Sequence, residues 1–281
     1  MDVTSIFSDT LFEGKTVFIT GGGSGINLEI AHTFAALGAN IGICGRTQDK
    51  LDSAAEGLLK KGASVFAKAA DVRDFDALQH VISEAGSVIG PIDVMVCAAA
   101  GNFICPAEKM SANAFKTVID IDLLGSFNSA KAALAQLKKT RGSLIFISAG
   151  MSEIPYAAQA HVGAAKSGID NLMRNLALEW GPYGIRSNSI IPGPIAHTEG
   201  MRRLAPGELG DELKKQIPLG RFGRAEEIGQ AAAFLASPLA SYITGTALRV
   251  DGGQNLPGSG FFSALISRKL AEKQVQPVTK S

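Results

Sequence analysis

The sequence predicts a doubly wound α/β domain, a single parallel sheet with helices on both faces. Three observations predict it. Short apolar runs alternate with longer segments of helical spacing, the runs are rich in Val, Ile and Phe and bounded by turn residues, and a glycine cluster stands where the first run passes into the first helical segment. The alternation decides the class, because neighbouring parallel strands need a crossover connection between them, usually a helix.

The runs in order are KTVFIT, ANIGICGR, SVFAKAADV, IDVMVCAAA, GSLIFISA, IRSNSIIPG and GTALRVDGG, so seven strands are expected. Strands buried on both faces read as near-continuous apolar stretches, as most of these do. After the first run, NLEIAHTFAALG spaces its apolar residues for a helix and stops at a glycine; HVGAAKSGIDNLMRNLALEWG does the same over a longer stretch. No linker or repeat divides the series, so residues 1–255 are assigned to one domain. The tail, 256–281, differs. It opens on the breaker NLPGSG and continues FFSALISRKLAEK, where Phe261, Phe262, Leu265, Ile266 and Leu270 share one side of a helix. That stripe reads equally as a subunit contact and as a helix packed on its own domain.

Composition narrows the function classes. With 46% hydrophobic residues in 281, the chain has material for a large core. Lys+Arg 27 against Asp+Glu 26 leaves no general basic surface, so neither nucleic acid nor a membrane is expected as main partner, and an anionic ligand must be held locally. Cys44, Cys97 and Cys105 show no CxxC spacing and read as reduced core thiols. His32, His80, His161 and His197 show no metal-ligand spacing, so no metal is expected. The N-terminus lacks a basic region followed by an apolar run, and no stretch reaches the ~18 apolar residues of a membrane span. A soluble, intracellular protein is expected.

TGGGSGIN, residues 20–27, follows the first strand and opens the first helix. Gly21, Gly23, Ser24, Gly25 and Ile26 suit a dinucleotide pyrophosphate, which backbone N–H groups and the positive end of a helix attract; the plainer reading is a tight turn. Asn27 stands where a third glycine is usual. The second strand ends in Gly45 and Arg46, without the carboxylate that would bind a ribose 2′-hydroxyl. A guanidinium suits a 2′-phosphate, so NADP(H) is expected, with Lys50 as a second cation; the alternative is solvated surface charge. Asp71 and Val72, ending the third strand, either flank the adenine or, for Asp71, cap the next helix.

TGGGSGI, Arg46 at the strand end, CAAAG at 97–101, the lysine of HVGAAK, the PGPI turn at 192–195 and the terminal VDGG together resemble the short-chain dehydrogenase/reductase family over nearly the whole chain. The resemblance implies a Rossmann-like fold. It also implies that Lys166 holds the nicotinamide ribose, that Ile195 meets the carboxamide through its backbone, and that Thr198 lies near the pyrophosphate. Ala98, Ala99, Pro192 and Gly193 join the cofactor wall on the same motifs.

Three usual catalytic positions depart from the family pattern. The tyrosine expected four residues before the lysine is Val162, the serine expected near 149 is Ala149 with Ser148 beside it, and the asparagine of the helix facing the site is Asp122. A hydrocarbon donates no proton, so the site keeps hydride transfer and lacks the usual means of protonating an alkoxide. AAAGNFICPAE, QAHVGAAKSGID, LALEWGPYGIRSNSIIPGPIAHTEGMRRL and LASPLASYITG resemble the 2,4-dienoyl-CoA reductases, especially those of peroxisomal type. That resemblance implies NADPH-dependent reduction of a 2,4-dienoyl-CoA to a 3-enoyl-CoA, an acyl-CoA partner and a homotetramer. The eukaryotic relatives carry a C-terminal address of the SKL kind; this chain ends PVTKS, so a cytoplasmic location is expected.

On the same basis Asp122, directly or through water, is the expected proton source, with Lys166 supplying charge and orientation; the plainer reading of Asp122 is a surface or helix-capping acid. Tyr156, upstream of Lys166, is the second choice. Asp251 is a weaker candidate, better suited to a turn-stabilising Asx interaction. The segment from about 196 to 224 is the expected substrate lid, where Arg202, Arg203, Lys214 and Lys215 either attract coenzyme A phosphates or form a solvated helix face. Phe103 either walls the acyl channel or belongs to the core. Two rival functions stand: a 3-oxoacyl or other carbonyl reductase using Tyr156, and a non-catalytic NADP(H)-binding sensor or assembly subunit.

Overall fold

The computed structural model describes residues 7–198, 201, 208–256, 260 and 266. All seven expected strands form: β1 (Thr16–Thr20), β2 (Asn40–Gly45), β3 (Val65–Ala69), β4 (Ile92–Cys97), β5 (Ser143–Ile147), β6 (Arg186–Pro192) and β7 (Ala247–Val250). They make one sheet in the order β3-β2-β1-β4-β5-β6-β7, every pairing parallel. Strand order reverses between β1 and β4, and in open parallel sheets the crevice beyond the strand ends at that point is where ligands bind.

Alternation along the strands splits the core into two layers. Val17, Ile19, Ile41, Ile43, Val94, Val96, Ile145 and Ile147 face one side, where α1 (Gly25–Ala36), α2 (Gln48–Leu59) and α8 (Ala225–Ala236) cover them. Phe18, Cys44, Met95, Cys97, Leu144 and Phe146 face the other, covered by α3 (Phe75–Val88), α5 (Gly125–Thr140) and α6 (Ala160–Trp180). Cys44 and Cys97 are free and buried, as expected of core thiols, and burial pushes the Cys44 thiol up to about 12. Helix α1 lies against α8, where a Cβ on Gly229 would fall 2.1 Å from Thr33 Oγ1, so only glycine permits the contact.

Between β4 and β5, α4 (Ala112–Val118) runs through a π-helical turn, Ile119–Leu124, into α5. A π-turn carries one extra residue per turn and is frequent at functional sites. Here it turns Asp122 inward. Glycines make room for it: a Cβ on Gly125 would meet Val72 at 2.5 Å, and one on Gly168 would meet Leu123 at 2.8 Å. Helix α7 (Glu208–Gln216) follows the PGPI turn. Of the apolar positions expected to line a tail helix, Phe261, Phe262, Leu265 and Leu270 lie outside the described residues; Ile266 is helical and exposed. Among the described residues no helix is long and apolar enough to cross a membrane.

Candidate active site

The strand ends and the loops after them enclose a cavity of about 590 Å³ beside the switch point, lined by Asp122, Val162, Lys166, Tyr156, Ile195 and Met151 among others. A second hollow, beyond the phosphate turn, is lined by Gly21, Gly23, Arg46, Lys50, Asp71 and Val72 together with Ala98 and Ala99. Ser24, Asn27, Ala98 and Ala100 line both, so the two hollows adjoin along the phosphate turn.

The residues present fit such a ligand. Gly21 and Gly25 hold φ of 70° and 61°, which side chains disfavour, and a Cβ on Gly25 would meet nothing within 4 Å, so the backbone is bare towards the cleft. Ser24 is the N-cap of α1 yet makes no side-chain cap bond, which leaves the first-turn N–H groups to an anion. Arg46 is exposed and makes no ion pair among the described residues. Asp71 does not cap α3. Its carboxylate takes Arg73 (Nη2 to Oδ2 2.6 Å), which holds it below the usual carboxylate range, while Asp74 caps the helix by accepting from Ala77 N at 3.0 Å.

On the far side, Pro192 and Gly193 end β6, and a Cβ on Gly193 would strike Asp251 Cα at 2.7 Å. Ile195 is buried and bridged to Gly223, and Thr198 Oγ1 donates to Ile195 O at 2.8 Å, fixing the turn. Asp251 accepts from Gly253 N at 2.9 Å and Asn255 N at 3.0 Å, a turn-stabilising role.

At the centre, Lys166 is 6% exposed; its Nζ donates to Ile147 O at 3.0 Å and stands 3.2 Å from Asp122 Oδ2. Asp122 is wholly buried. Its Oδ1 accepts from Gly101 N at 2.7 Å, whereas Oδ2 receives no aligned hydrogen bond from any described residue. Val162, one turn before Lys166, packs with Val118 and Ala165. Ser148 supplies no free hydroxyl to the cavity: its Oγ donates to Asp170 Oδ2 at 2.9 Å, and Ser189 Oγ donates to Oδ1 of the same buried carboxylate at 2.8 Å.

Tyr156 reaches the cavity but not the lysine. Its hydroxyl lies 3.4 Å from Asn255 Oδ1, and burial, helped by the charge of Asp251, pushes its pKa up. Phe103 neither lines the cavity nor belongs to the core, being 38% exposed. Its ring rests 4.3 Å from the buried His161 ring, and Ile104, Met151, Met201 and Leu213 supply the apolar wall instead. Lys214 and Lys215 pair with Asp211 and Glu212 on their own helix, the solvated-face alternative; Arg202 and Arg203 lie outside the described residues. The π-turn, Asp170 and the wall residues were not singled out from the sequence; the repeated IDID pattern pointed to Asp122 but not to the turn that holds it.

Residues 21–255 match the family model described as enoyl-(acyl carrier protein) reductase. The chain belongs to the short-chain dehydrogenase/reductase family. It is therefore an oxidoreductase whose fold binds a nicotinamide cofactor. It is 46% identical over 247 residues to the peroxisomal 2,4-dienoyl-CoA reductase [(3E)-enoyl-CoA-producing] of Saccharomyces cerevisiae, covering 86% of this chain and 85% of that one. It is 40% identical over 246 residues to the probable 2,4-dienoyl-CoA reductase [(2E)-enoyl-CoA-producing] of Bacillus subtilis, covering 86% and 97%. Among solved structures, the citronellol catabolism dehydrogenase of Pseudomonas aeruginosa PAO1 superposes with a TM-score of 0.79 at 35% identity, over 89% of this chain and 98% of that one. An NADPH-bound short-chain oxidoreductase of the same organism, described as containing an atypical catalytic center, gives 0.80 at 28% identity over 85% and 96%.

Proposed function

We propose that this protein reduces a 2,4-dienoyl-CoA to a 3-enoyl-CoA with NADPH. The observation that carries the reading is a hydrocarbon, Val162, one turn before Lys166, together with a buried carboxylate, Asp122, 3.2 Å from the lysine Nζ. The bound nicotinamide supplies a hydride. Addition to the far end of the diene moves negative charge onto the thioester oxygen, and the reaction closes when a proton reaches carbon, a step that needs no phenol.

The chain's own groups divide that work. Lys166 holds the nicotinamide ribose and sets a positive charge beside the developing anion. Asp122 keeps Oδ1 on Gly101 and sets Oδ2 3.2 Å from Lys166 Nζ, and it delivers the proton directly or through a water of the cavity, with Lys166 supplying charge and orientation. Protonation next to the thioester carbonyl gives the 3-enoyl product. Arg46, alone at the end of β2, favours a 2′-phosphate and hence NADPH, and Ile104, Met151, Met201 and Leu213 suit an acyl chain.

The test is NADPH oxidation by the purified protein with a 2,4-dienoyl-CoA beside a 3-oxoacyl-CoA. Turnover of the dienoyl thioester alone is expected; preference for the 3-oxoacyl thioester would transfer the site to a carbonyl reductase using Tyr156, and turnover of neither would support a non-catalytic binding role. The raised pKa of Tyr156 and its attachment to Asn255 rather than Lys166 argue against the carbonyl reading.

A further inference from the structure

The third position of the glycine motif is a side chain, and the structure gives that side chain a use. We propose that Asn27 is a cofactor-positioning residue: its amide braces the phosphate turn to the end of β4 and offers its carbonyl oxygen to the dinucleotide where it crosses between the two hollows. This rests on the nicotinamide-binding fold and not on the choice between NADPH and NADH or on the substrate.

The geometry is specific. Asn27 Nδ2 donates to Gly21 O at 3.2 Å and to Ala98 O at 3.0 Å. Both acceptors are backbone carbonyls, so the orientation of the amide follows from its partners. Gly21 is held on its other side by its N–H, which donates to Cys44 O at 2.8 Å, and Ala98 by its N–H, which donates to Thr20 Oγ1 at 3.0 Å. The phosphate turn is thereby fixed to β2 through Gly21 and to β4 through Asn27. A glycine in the third position serves close packing of helix on strand. Here a Cβ on Gly21 would come 3.0 Å from Asn27 Nδ2, so the side chain fills the space that the motif ordinarily leaves empty.

With both amide hydrogens used, Oδ1 is the remaining polar atom. No described residue donates to it, and it is not among the fully buried atoms without a partner, so it is open to a ligand. Asn27 lines both the hollow of Arg46 and that of Lys166, so a dinucleotide spanning the two passes this side chain. An acceptor at that place suits a ribose hydroxyl.

The test compares Asn27→Gly and Asn27→Asp with the wild type, reading the NADPH and NADH dissociation constants from nicotinamide fluorescence and the melting temperature of the cofactor-free protein. Asn27→Gly restores the usual residue of the motif and is expected to fold. It should weaken both cofactors about tenfold, the loss of one or two hydrogen bonds, while the ratio of the two constants stays unchanged. Asn27→Asp cannot donate to the two carbonyls and sets a negative charge by the pyrophosphate, so it should bind more weakly still. Wild-type affinity in both variants overturns the proposal. So does a lower cofactor-free melting temperature without any change in affinity, since that outcome assigns the side chain to packing alone. A change in the NADPH to NADH ratio would also count against it, because that ratio belongs to Arg46.

Discussion

Lys166 Nζ and Asp122 Oδ2 stand 3.2 Å apart, and neither side chain is open to solvent outside the cavity they line. The pair joins helix α6 to the π-turn before α5. It puts a lysine and an acid side by side where the cavity meets the end of β5. Charges so buried are held together because separating them would strand each in a poorly solvated place.

Cofactor choice follows from the end of β2. Arg46→Ala should weaken NADPH binding by about 1.5–3 kcal/mol, the worth of a charge-assisted phosphate contact, and leave NADH nearly unchanged. Fluorescence titration with both cofactors checks it, and equal losses would remove the argument for a 2′-phosphate site.

Restoring the family tyrosine should not help. Val162 packs on Val118 and Ala165 and also lines the cavity, so the phenol of Val162→Tyr enters the space the substrate needs. The variant should reduce a dienoyl-CoA no faster than wild type, read as turnover at saturating NADPH. A faster rate would mean that a phenol, once present, does the work assigned here to water and Asp122.

The strands were legible because continuous burial on both faces writes itself into continuous apolar runs, and the cofactor hollow was legible because Arg46 stands where an acid would mark a different ribose. The π-turn was not. IDIDLLG was expected to set Asp122 towards the site, but nothing in it marks a π-turn; that turn shows only in the close packing of Leu123 on Gly168 and of Gly125 on Val72. Asp71 reads in the sequence as flanking the adenine or capping α3, and Asp74 was not singled out; Asp74 is the cap because it immediately precedes Phe75 and accepts from Ala77 N. Tyr156 was expected as a site residue and does line the cavity, but its hydroxyl partner, Asn255, is distant in sequence and was not legible.

Asp170 braces the floor of the site. Its carboxylate, one turn after Lys166 on α6, takes the Ser148 hydroxyl just after β5 and the Ser189 hydroxyl from β6. Asp170→Ala strands both hydroxyls and should cost about 2–4 kcal/mol in denaturant unfolding, with Asp170→Asn losing less. Equal stability of all three proteins would contradict this role.

Glu227 predicts a pH dependence. Its hydrogen bond with Arg221 is the main cause lowering its pKa to about 2, and Glu227 also accepts from Arg224 N at the start of α8. A carboxyl depressed on folding stabilises the native state above its unfolded pKa and loses that contribution as pH falls through the folded one. Glu227→Gln should therefore melt below wild type at pH 7, with the gap closing as pH falls from the ordinary glutamate range towards 2. A gap that does not change with pH would assign the effect to packing.

The most direct test of the central claim is the turnover of a 2,4-dienoyl-CoA, at saturating NADPH, by Asp122→Ala and Tyr156→Phe side by side, with Asp122→Asn as the variant that keeps an acceptor for Gly101. Asp122→Ala should lower turnover by about 10²–10⁴-fold with NADPH affinity nearly unchanged, and Tyr156→Phe should retain most of it. If Tyr156→Phe abolishes turnover while Asp122→Ala and Asp122→Asn keep most of it, the tyrosine is the acid and the Lys166–Asp122 account is wrong.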